Sequence, residues 1–348
     1  MQFKFIIGVD MSKDWFHFCL RDPHYSILLE DQVDNNPDDI FRFLTRLSKR
    51  KELLDAKANL SELIVIIEHT GIYVNHLVNA CLSKGIPLSL VHPNKVSSLL
   101  AGDQKYDEKT DQIDARRLAE YGIRYADKIQ LWKARENALV KLQAIERQRT
   151  RTLDAINLLE VPLNESKCFD SIDISEMLVT NQSQALLALK QLLKNINQQI
   201  QQLINSQPHL KQLFKLIKSV PGVGAVTATE IIIATSAFED FTPDQAKQFA
   251  RYAGVTPKPF QSGKKKRNPR TTKRGNKRIK TLLTMGALTL TKNTKTELGF
   301  YYHRKKAQGK KHLCVINAMR NKIILRVFAV VKNQVMYQKN MNMSLVLS

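Results

Sequence analysis

Four acidic residues of this chain occupy positions that could bind a metal ion. Asp10 ends the first apolar strand, Glu68 ends a second apolar run, and Asp111 and Asp114 lie one turn apart in a helical stretch that Thr110 begins. A carboxylate at the end of a buried strand is costly unless it is paired, hydrogen-bonded or metal-bound. Clustered carboxylates repel one another unless a hard cation such as Mg²⁺ or Mn²⁺ neutralises them. The alternative interpretation is that each acid ends a strand at a turn or caps a helix, where an acid favours the helix dipole.

A serine in a strongly basic stretch is the second chemical feature. Residues 258–280 hold eleven basic residues and no acid, and Ser262 lies among them in a loop punctuated by Gly and Pro. A serine hydroxyl is a weak nucleophile, but nearby cations and a metal could stabilise the charge that develops on an attacked phosphorus. The alternative is a solvated loop in a nucleic-acid-binding segment. The basic residues that we expect to contact phosphates are Lys264, Lys265, Lys266, Arg267, Arg270, Lys273, Arg274, Lys277 and Arg278.

A glycine-rich turn precedes a predicted helix in the same half of the chain. Its sequence, Val220-Pro221-Gly222-Val223-Gly224, resembles the turn of a helix-hairpin-helix. Backbone N–H groups of such a turn can hold a DNA phosphate. We therefore expect Gly222 and Gly224 to contact nucleic acid.

Composition indicates a polyanionic partner. The 348 residues include 54 Lys and Arg against 32 Asp and Glu, a formal charge of +22, which favours nucleic acid over membrane. A passive binding protein would share this charge, so charge alone does not indicate an enzyme. The four cysteines lack metal-ligand spacing and are typical of reduced thiols in a cytosolic protein. Because no apolar run is long enough for a membrane span and no signal-peptide layout is present, we expect a cytoplasmic, nucleoid-associated protein without membrane contacts.

The order of predicted elements indicates an α/β domain followed by a mostly helical part. Three strands form a meander, and a helix that Pro37 opens precedes a strand–helix–strand unit, which is the order of a ribonuclease-H-like domain. Predicted strands cover residues 3–9, 15–20, 26–29, 63–67 and 88–91.

The second half of the chain reads as helices. A helix over residues 137–160 and a later helix with a heptad seam flank an irregular segment, residues 161–183. This pair predicts an antiparallel hairpin or a dimerising coiled coil, or else a helical linker packed on its own domain. Further helices are predicted over residues 238–252, 279–291 and 313–331, with a connector over 292–309 and with Arg320, Lys322 and Arg326 on the polar side of the last helix.

Taken in order, these motifs resemble one family, the insertion-sequence transposases with a DEDD acidic motif and a C-terminal serine. That family includes the Piv pilin-gene invertase and the bridge-RNA-guided recombinases. The resemblance runs from residue 3 to about residue 330, and the residues that carry it are 8–10, 67–71, 109–119, 220–224, 252–257, 261–263 and 274–278.

The resemblance implies a domain organisation and a mechanism. Residues 1–135 would form a RuvC-like domain in which Asp10, Glu68, Asp111 and Asp114 bind Mg²⁺ or Mn²⁺. Residues 136–210 would form a helical coiled-coil region, residues 211–335 a transposase domain carrying the nucleophile Ser262, and residues 336–348 a tail. Implied partners are DNA, a structured guide RNA as in part of the family, and further copies of the chain, as a dimer that pairs into a tetramer. The alternatives are a metal-only nuclease or junction resolvase, a site-specific DNA invertase of the same family, and a non-enzymatic nucleic-acid scaffold.

Overall fold

A computed structural model describes residues 3–49, 62–92, 96, 110–262, 265–272 and 275–338. It forms two compact units, Met1–Ala134 and Arg135–Ser348. The predicted division of the second unit at residue 210 stays a prediction. No helix in the described part of the chain is both long enough and apolar enough to span a bilayer.

The first unit is built on a five-stranded sheet of mixed direction, in the order β3-β2-β1-β4-β5. The first three strands pair antiparallel, whereas β1–β4 and β4–β5 pair parallel. This is the order predicted for a ribonuclease-H-like domain, and the predicted fold class is confirmed. The strands are β1 Phe5–Met11, β2 Trp15–Arg21, β3 Ile27–Asp34, β4 Leu63–Glu68 and β5 Leu88–Val91.

Helices cover both faces of this sheet. Helices α1 (Pro37–Ser48) and α2 (Asn75–Ser83) share a core with Ile7 and Val9, and α3 (Asp111–Arg124) shares a separate core with Ile6 on the opposite face. Because alternate residues of a strand point to opposite faces, a continuous apolar run is the pattern that a strand covered on both sides requires.

The second unit begins with a long antiparallel helix hairpin, α4 (Asn137–Phe169) and α5 (Ile172–Ser206). Cross-helix bonds fix its direction, since Arg149 Nε donates to Asn197 Oδ1 at 2.8 Å and Lys190 Nζ lies 2.7 Å from Glu160 Oε1. The prediction that residues 161–183 are irregular was wrong, because this segment is helical except for the turn at residues 170–171. Pro162 lies inside α4, and the following Leu163 is buried, so packing keeps the chain helical through the proline.

In the described part of this unit, six more α-helices and a small hairpin follow. The predicted connector 292–309 was wrong, because it contains a helix that Thr296 caps by accepting from Gly299 N–H. Arg320 and Arg326, predicted on a polar side, are buried. The basic stretch, predicted to be a loop, contains two paired strands, because cross-strand pairing overrides the low strand propensity of Lys and Pro. The elements are α6 Pro208–Lys218, α7 Ala225–Ala234, α8 Ala246–Tyr252, β6 Pro257–Ser262, β7 Lys265–Thr271, α9 Lys277–Thr291, α10 Glu297–Ala307 and α11 His312–Asn333.

Candidate active site

Two of the predicted acids end neighbouring parallel strands. Strand β1 pairs with β4 so that Val9 lies opposite Ile67, and the next residue on each strand is Asp10 and Glu68. Both carboxylates therefore stand at the same edge of the sheet. This edge is where parallel strands in α/β folds present their functional groups.

A glycine brings the other two acids to this edge. A Cβ added to Gly8 would lie 2.1 Å from Ala115 O and 2.2 Å from Ala119 N, so the backbone of α3 lies directly on β1. Asp111 and Asp114 stand in the turn of α3 that precedes Ala115, and they consequently lie towards Asp10. Thr110 begins the helix, as predicted, because its Oγ1 accepts from Ile113 N–H at 3.3 Å.

The electrostatics of Asp10 reflect this grouping. Burial, followed by the charges of Asp114, Asp111 and Glu68, raises the pKa of Asp10 from 3.8 to about 7. A hydrogen bond from the Met11 backbone opposes the shift. The fold thus brings together the same four acids that the sequence singled out.

The four carboxylates lie near enough for their charges to interact, but their oxygens are not arranged as a coordination site. Asp114 Oδ1 accepts from Arg117 Nη1 at 3.0 Å, and the Asp111 side chain is 58% exposed. Among the described residues, no three His, Cys, Asp or Glu side chains are already arranged to hold a metal ion. Arg117 partly neutralises the charge of Asp114. The donors are all carboxylate oxygens, which are the ligands that Mg²⁺ prefers, so the residues fit such an ion.

Glu30 of β3, which sequence reasoning missed, anchors the acidic helix. Arg116 Nε donates to Glu30 Oε2 at 2.7 Å, and Gln112 Nε2 donates to Glu30 Oε1 at 3.1 Å. The Arg116 hydrogen bond holds the pKa of Glu30 below its usual value. Both donors belong to the first turns of α3, so Glu30 fixes the turns that carry Asp111 and Asp114. No local pattern connects residues this far apart in sequence.

His17 is a second residue that sequence reasoning missed. It pairs with Asp10 across β1 and β2, and its Nδ1 is buried without a hydrogen-bond partner among the residues that the structure describes. Asp111 Oδ2 lies 3.9 Å from this nitrogen, which is too far for a hydrogen bond. A polar group therefore faces the acids from the neighbouring strand. Its position opposite Asp10 in the antiparallel register could have identified it, but that register is defined only once the pairing of β1 with β2 is known.

The serine hairpin lies in the second unit. Ser262 is the last residue of β6 and pairs with Lys265 at the start of β7. Asn276 ties the hairpin to α8, because its N–H donates to Tyr252 O and its Nδ2 donates to Tyr252 Oη, both at 2.9 Å. A Cβ on Gly275 would lie 2.4 Å from Gly254 Cα, so the segments before β6 and after β7 are in direct backbone contact.

The predicted phosphate contacts have different settings. Arg270 and Lys277 are exposed. Arg278 is already engaged, since its Nε lies 3.0 Å from Glu230 Oε1 and its Nη2 lies 3.1 Å from Glu146 Oε1. The side chains of Ser262, Lys265, Lys266 and Arg267, and the whole of Lys264, Lys273 and Arg274, lie outside the described residues.

The glycine-rich turn packs on α9 and begins α7. Gly222 has φ +87°, a backbone conformation that side chains rarely adopt, and a Cβ on Gly286 would lie 2.0 Å from Gly222 O. Gly224 stands at the N-terminus of α7 without a side-chain cap. The first N–H groups of α7 therefore have no capping side chain, as a phosphate contact would require.

Comparisons with known proteins agree with these features. A family model described as Transposase IS116/IS110/IS902 family matches residues 214–303, and a model of the DEDD transposases of IS110, described as Transposase, matches residues 7–160. The pilin gene-inverting protein of Moraxella bovis is 26% identical over 340 residues, which are 97% of this chain and 99% of that protein. The transposase for insertion sequence element IS1111A of Coxiella burnetii is 25% identical over 312 residues, 84% of this chain and 79% of that protein.

Among solved structures, T. thermophilus RuvC in complex with Holliday junction substrate matches 37% of this chain and 99% of its own, at 13% identity and a TM-score of 0.28. The two family models include all four acids and Ser262, and together they match more than half of the chain. The chain belongs to the IS110/IS116 family of insertion-sequence transposases.

Proposed function

We propose that this transposase cuts and rejoins DNA at the ends of its own insertion sequence, with Ser262 as nucleophile and a divalent cation at the acidic site. The observation that carries the proposal is the raised pKa of Asp10, whose causes are burial and the charges of the other three predicted acids. Perturbed carboxylates of this kind are typical of catalytic or metal sites. The scaffold alternative treats the four acids as separate turn residues and helix caps, which would not need to lie near the half-buried Asp10.

Asp10, Glu68, Asp111 and Asp114 would hold Mg²⁺ or Mn²⁺. Bound there, the cation would stabilise charge on the oxygens of a phosphodiester. Because the pKa of Asp10 is raised to about 7, a proton would compete with the cation for this carboxylate near neutral pH. Glu30 and Gly8 position the helix that carries Asp111 and Asp114.

In the proposed reaction, the Ser262 hydroxyl oxygen attacks a DNA phosphorus. A bond forms between the serine oxygen and phosphorus, and the bond between phosphorus and one deoxyribose oxygen breaks. The serine proton ends on that deoxyribose oxygen, which leaves as a hydroxyl. The covalent link conserves the energy of the broken bond, so the reverse attack by a deoxyribose hydroxyl can rejoin strands. Exposed cations in and next to the hairpin, Arg270 of β7 and Lys277 of α9 among them, support binding of the phosphate backbone.

Assembly into a dimer that pairs into a tetramer is part of the proposal. The α4–α5 hairpin exposes large apolar side chains at its tip and along its length, with Phe169 87%, Ile172 74% and Leu187 69% exposed. Exposed apolar surface of this kind favours protein–protein contact. A structured guide RNA is a further proposed partner, and the formal charge of +22 supports polyanion binding of either kind.

The test is a search for protein covalently bound to DNA. Cells would carry the gene with its native flanking DNA, and the protein would be isolated under denaturing conditions as wild type, Ser262→Ala and a matched control, Ser183→Ala, which alters an exposed serine of α5. We expect an adduct that maps to Ser262, is retained in the control and is lost in Ser262→Ala. Cleaved DNA without an adduct in any variant would favour the metal-only nuclease.

DNA inversion is a second candidate, because the pilin gene-inverting protein of Moraxella bovis matches this chain over 99% of its own length. A reporter with element ends in inverted orientation would flip under an invertase, whereas a transposase would excise the segment between native ends. The scaffold alternative predicts that Asp10→Asn leaves every DNA-dependent function intact.

A further inference from the structure

Helix α11 buries two arginines that differ in one respect. Arg320 is 8% exposed and Arg326 is 7% exposed. Arg326 has an acidic partner, since its Nη2 donates to Glu297 Oε2 at 2.5 Å. Arg320 has no acidic partner among the described residues, and its Nε is buried without a hydrogen bond. Helix α11 therefore contains one buried arginine with an acidic partner and one without such a partner among the residues described.

An uncompensated buried charge requires a reason. A guanidinium stays protonated in proteins, and its removal from water without a counterion is unfavourable. Burial lowers the pKa of Arg320, as expected for a cation without a counterion. A buried water would satisfy the Nε–H but would not supply negative charge. The site therefore favours an anion that arrives from outside the chain.

The position of Arg320 along α11 indicates which anion. One turn before Arg320, Asn317 Nδ2 donates to Val255 O at 2.7 Å. Val255 lies two residues before the start of β6, the strand that ends at Ser262. One turn after Arg320, Ile323 packs on the glycine-rich turn, because a Cβ on Gly222 would lie 3.3 Å from Ile323 Cδ1. Successive steps of three residues rotate in the same direction around a helix, so residue 320 lies angularly between these two contacts.

We propose that Arg320 binds a backbone phosphate of DNA between the glycine-rich turn and the base of the serine hairpin. The inference rests on the proposed function, because both neighbouring elements are the ones assigned to DNA there. A guanidinium matches phosphate oxygens in charge and geometry and forms two parallel hydrogen bonds with them. Such a contact fixes the position of the DNA without reading its sequence.

This role predicts opposite effects on stability and on binding. Arg320→Met removes a buried charge that has no acidic partner in the described part of the chain, so the free protein gains stability while DNA binding weakens. Arg326→Met is the matched control, since it alters an equally buried arginine on the same helix but leaves Glu297 without its cation. The control is expected to lose stability and to keep its affinity for DNA.

The experiment measures both properties on the full chain. Fluorescence anisotropy with a labelled duplex of the native flanking DNA, over a series of salt concentrations, gives the affinity and its salt dependence. For Arg320→Met we expect binding to weaken roughly tenfold or more and the slope of log K against log salt to fall in magnitude by about one. Thermal melts followed by circular dichroism at about 222 nm, which reports chiefly on the helical second unit, should show Tm higher than in wild type by a few degrees. Arg320→Lys should retain part of the affinity.

Each outcome decides the matter. A lower Tm together with unchanged DNA affinity in Arg320→Met would make Arg320 a structural residue and overturn the proposal. If Arg320→Met weakens binding of an RNA transcript of the flanking region but leaves DNA affinity unchanged, the proposed DNA contact is overturned and Arg320 binds RNA instead. The serine mechanism is tested separately, by the search for the Ser262 adduct. If wild type forms no adduct but Arg320→Met still weakens DNA binding, the serine mechanism is refuted and the role of Arg320 is not.

Discussion

The raised pKa of Asp10 predicts that its removal stabilises the metal-free first unit at neutral and higher pH. The folded state holds the Asp10 proton more tightly than the unfolded chain, with a pKa of about 7 against 3.8. The free energy of unfolding therefore falls as pH rises through this window, because the unfolded state releases the proton first. Asp10→Asn cannot ionise, so its free energy of unfolding lacks this decrease.

The size of the effect follows from the shift. Each pKa unit corresponds to about 1.4 kcal/mol, so a shift from 3.8 to about 7 gives a difference of about 4 kcal/mol above pH 7. Below pH 4 the difference between the two proteins should vanish, since Asp10 is then protonated in both states. Mg²⁺ at pH 8 should stabilise wild type more than Asp10→Asn and so reduce the difference between them.

Tryptophan fluorescence isolates the relevant unit. The chain has two tryptophans, Trp15 and Trp132, and both belong to the first unit. Urea unfolding followed by their emission, in EDTA at about pH 3.5 and pH 8 and then with Mg²⁺ at pH 8, gives the required free energies.

Asp14→Asn, which alters an exposed acid in the β1–β2 turn, serves as the control and should change stability by no more than about 0.5 kcal/mol at either pH. Equal stabilities of wild type and Asp10→Asn at pH 8 in EDTA would refute the electrostatic reasoning. A stabilising effect of Mg²⁺ on Asp10→Asn as large as on wild type would show that the ion binds elsewhere.

Three further predictions concern the residues that position the sites. Gly8→Ala should destabilise the first unit by at least about 2 kcal/mol in urea unfolding and weaken Mg²⁺ binding in calorimetry, because the new Cβ meets the Ala115 carbonyl at 2.1 Å. Glu30→Gln should cost about 1–2 kcal/mol above pH 5 and nothing well below the lowered pKa of Glu30, since the charge that Arg116 binds is lost there in wild type too. Gly222→Ala should lower the stability of the second unit by about 1–3 kcal/mol in melts followed by circular dichroism, because φ is +87° and the Cβ would lie 2.8 Å from Leu290 Cδ1.

The sequence predicted where the four acids lie because they stand at the ends of strongly patterned elements, whereas their role as metal ligands stays a prediction. An apolar run that stops at Asp10 or Glu68 marks the strand end directly, and Thr110 marks the start of the helix that carries Asp111. Glu30 escaped prediction because its role depends on contacts with α3, whose residues lie far along the chain. Local patterns specify elements, whereas partnerships across the sheet emerge only with topology.

The same reasoning explains the errors in the second unit. Residues 161–183 were predicted to be irregular, but Pro162 lies inside α4, and the buried Leu163 beside it shows that packing maintains the helix. The hairpin β6–β7 lacks the alternation of apolar and polar residues that marks a strand, so its composition read as a loop. Arg320 was assigned to a polar side by residue type alone, although charged residues are seldom fully buried unless paired.

Buried charge separates the residues that stabilise this fold from those that we propose bind ligands. Glu146 is buried, but Arg149 and Arg278 bind it, and Arg326 is buried against Glu297. Such pairs are complete within the chain, and removal of one partner should only destabilise. Asp10 and Arg320 differ, because Asp10 faces other acids and Arg320 has no acidic partner among the residues described. A cation at the first and a phosphate at the second would supply the missing charge, so a neutral substitution at either position should exchange ligand binding for stability.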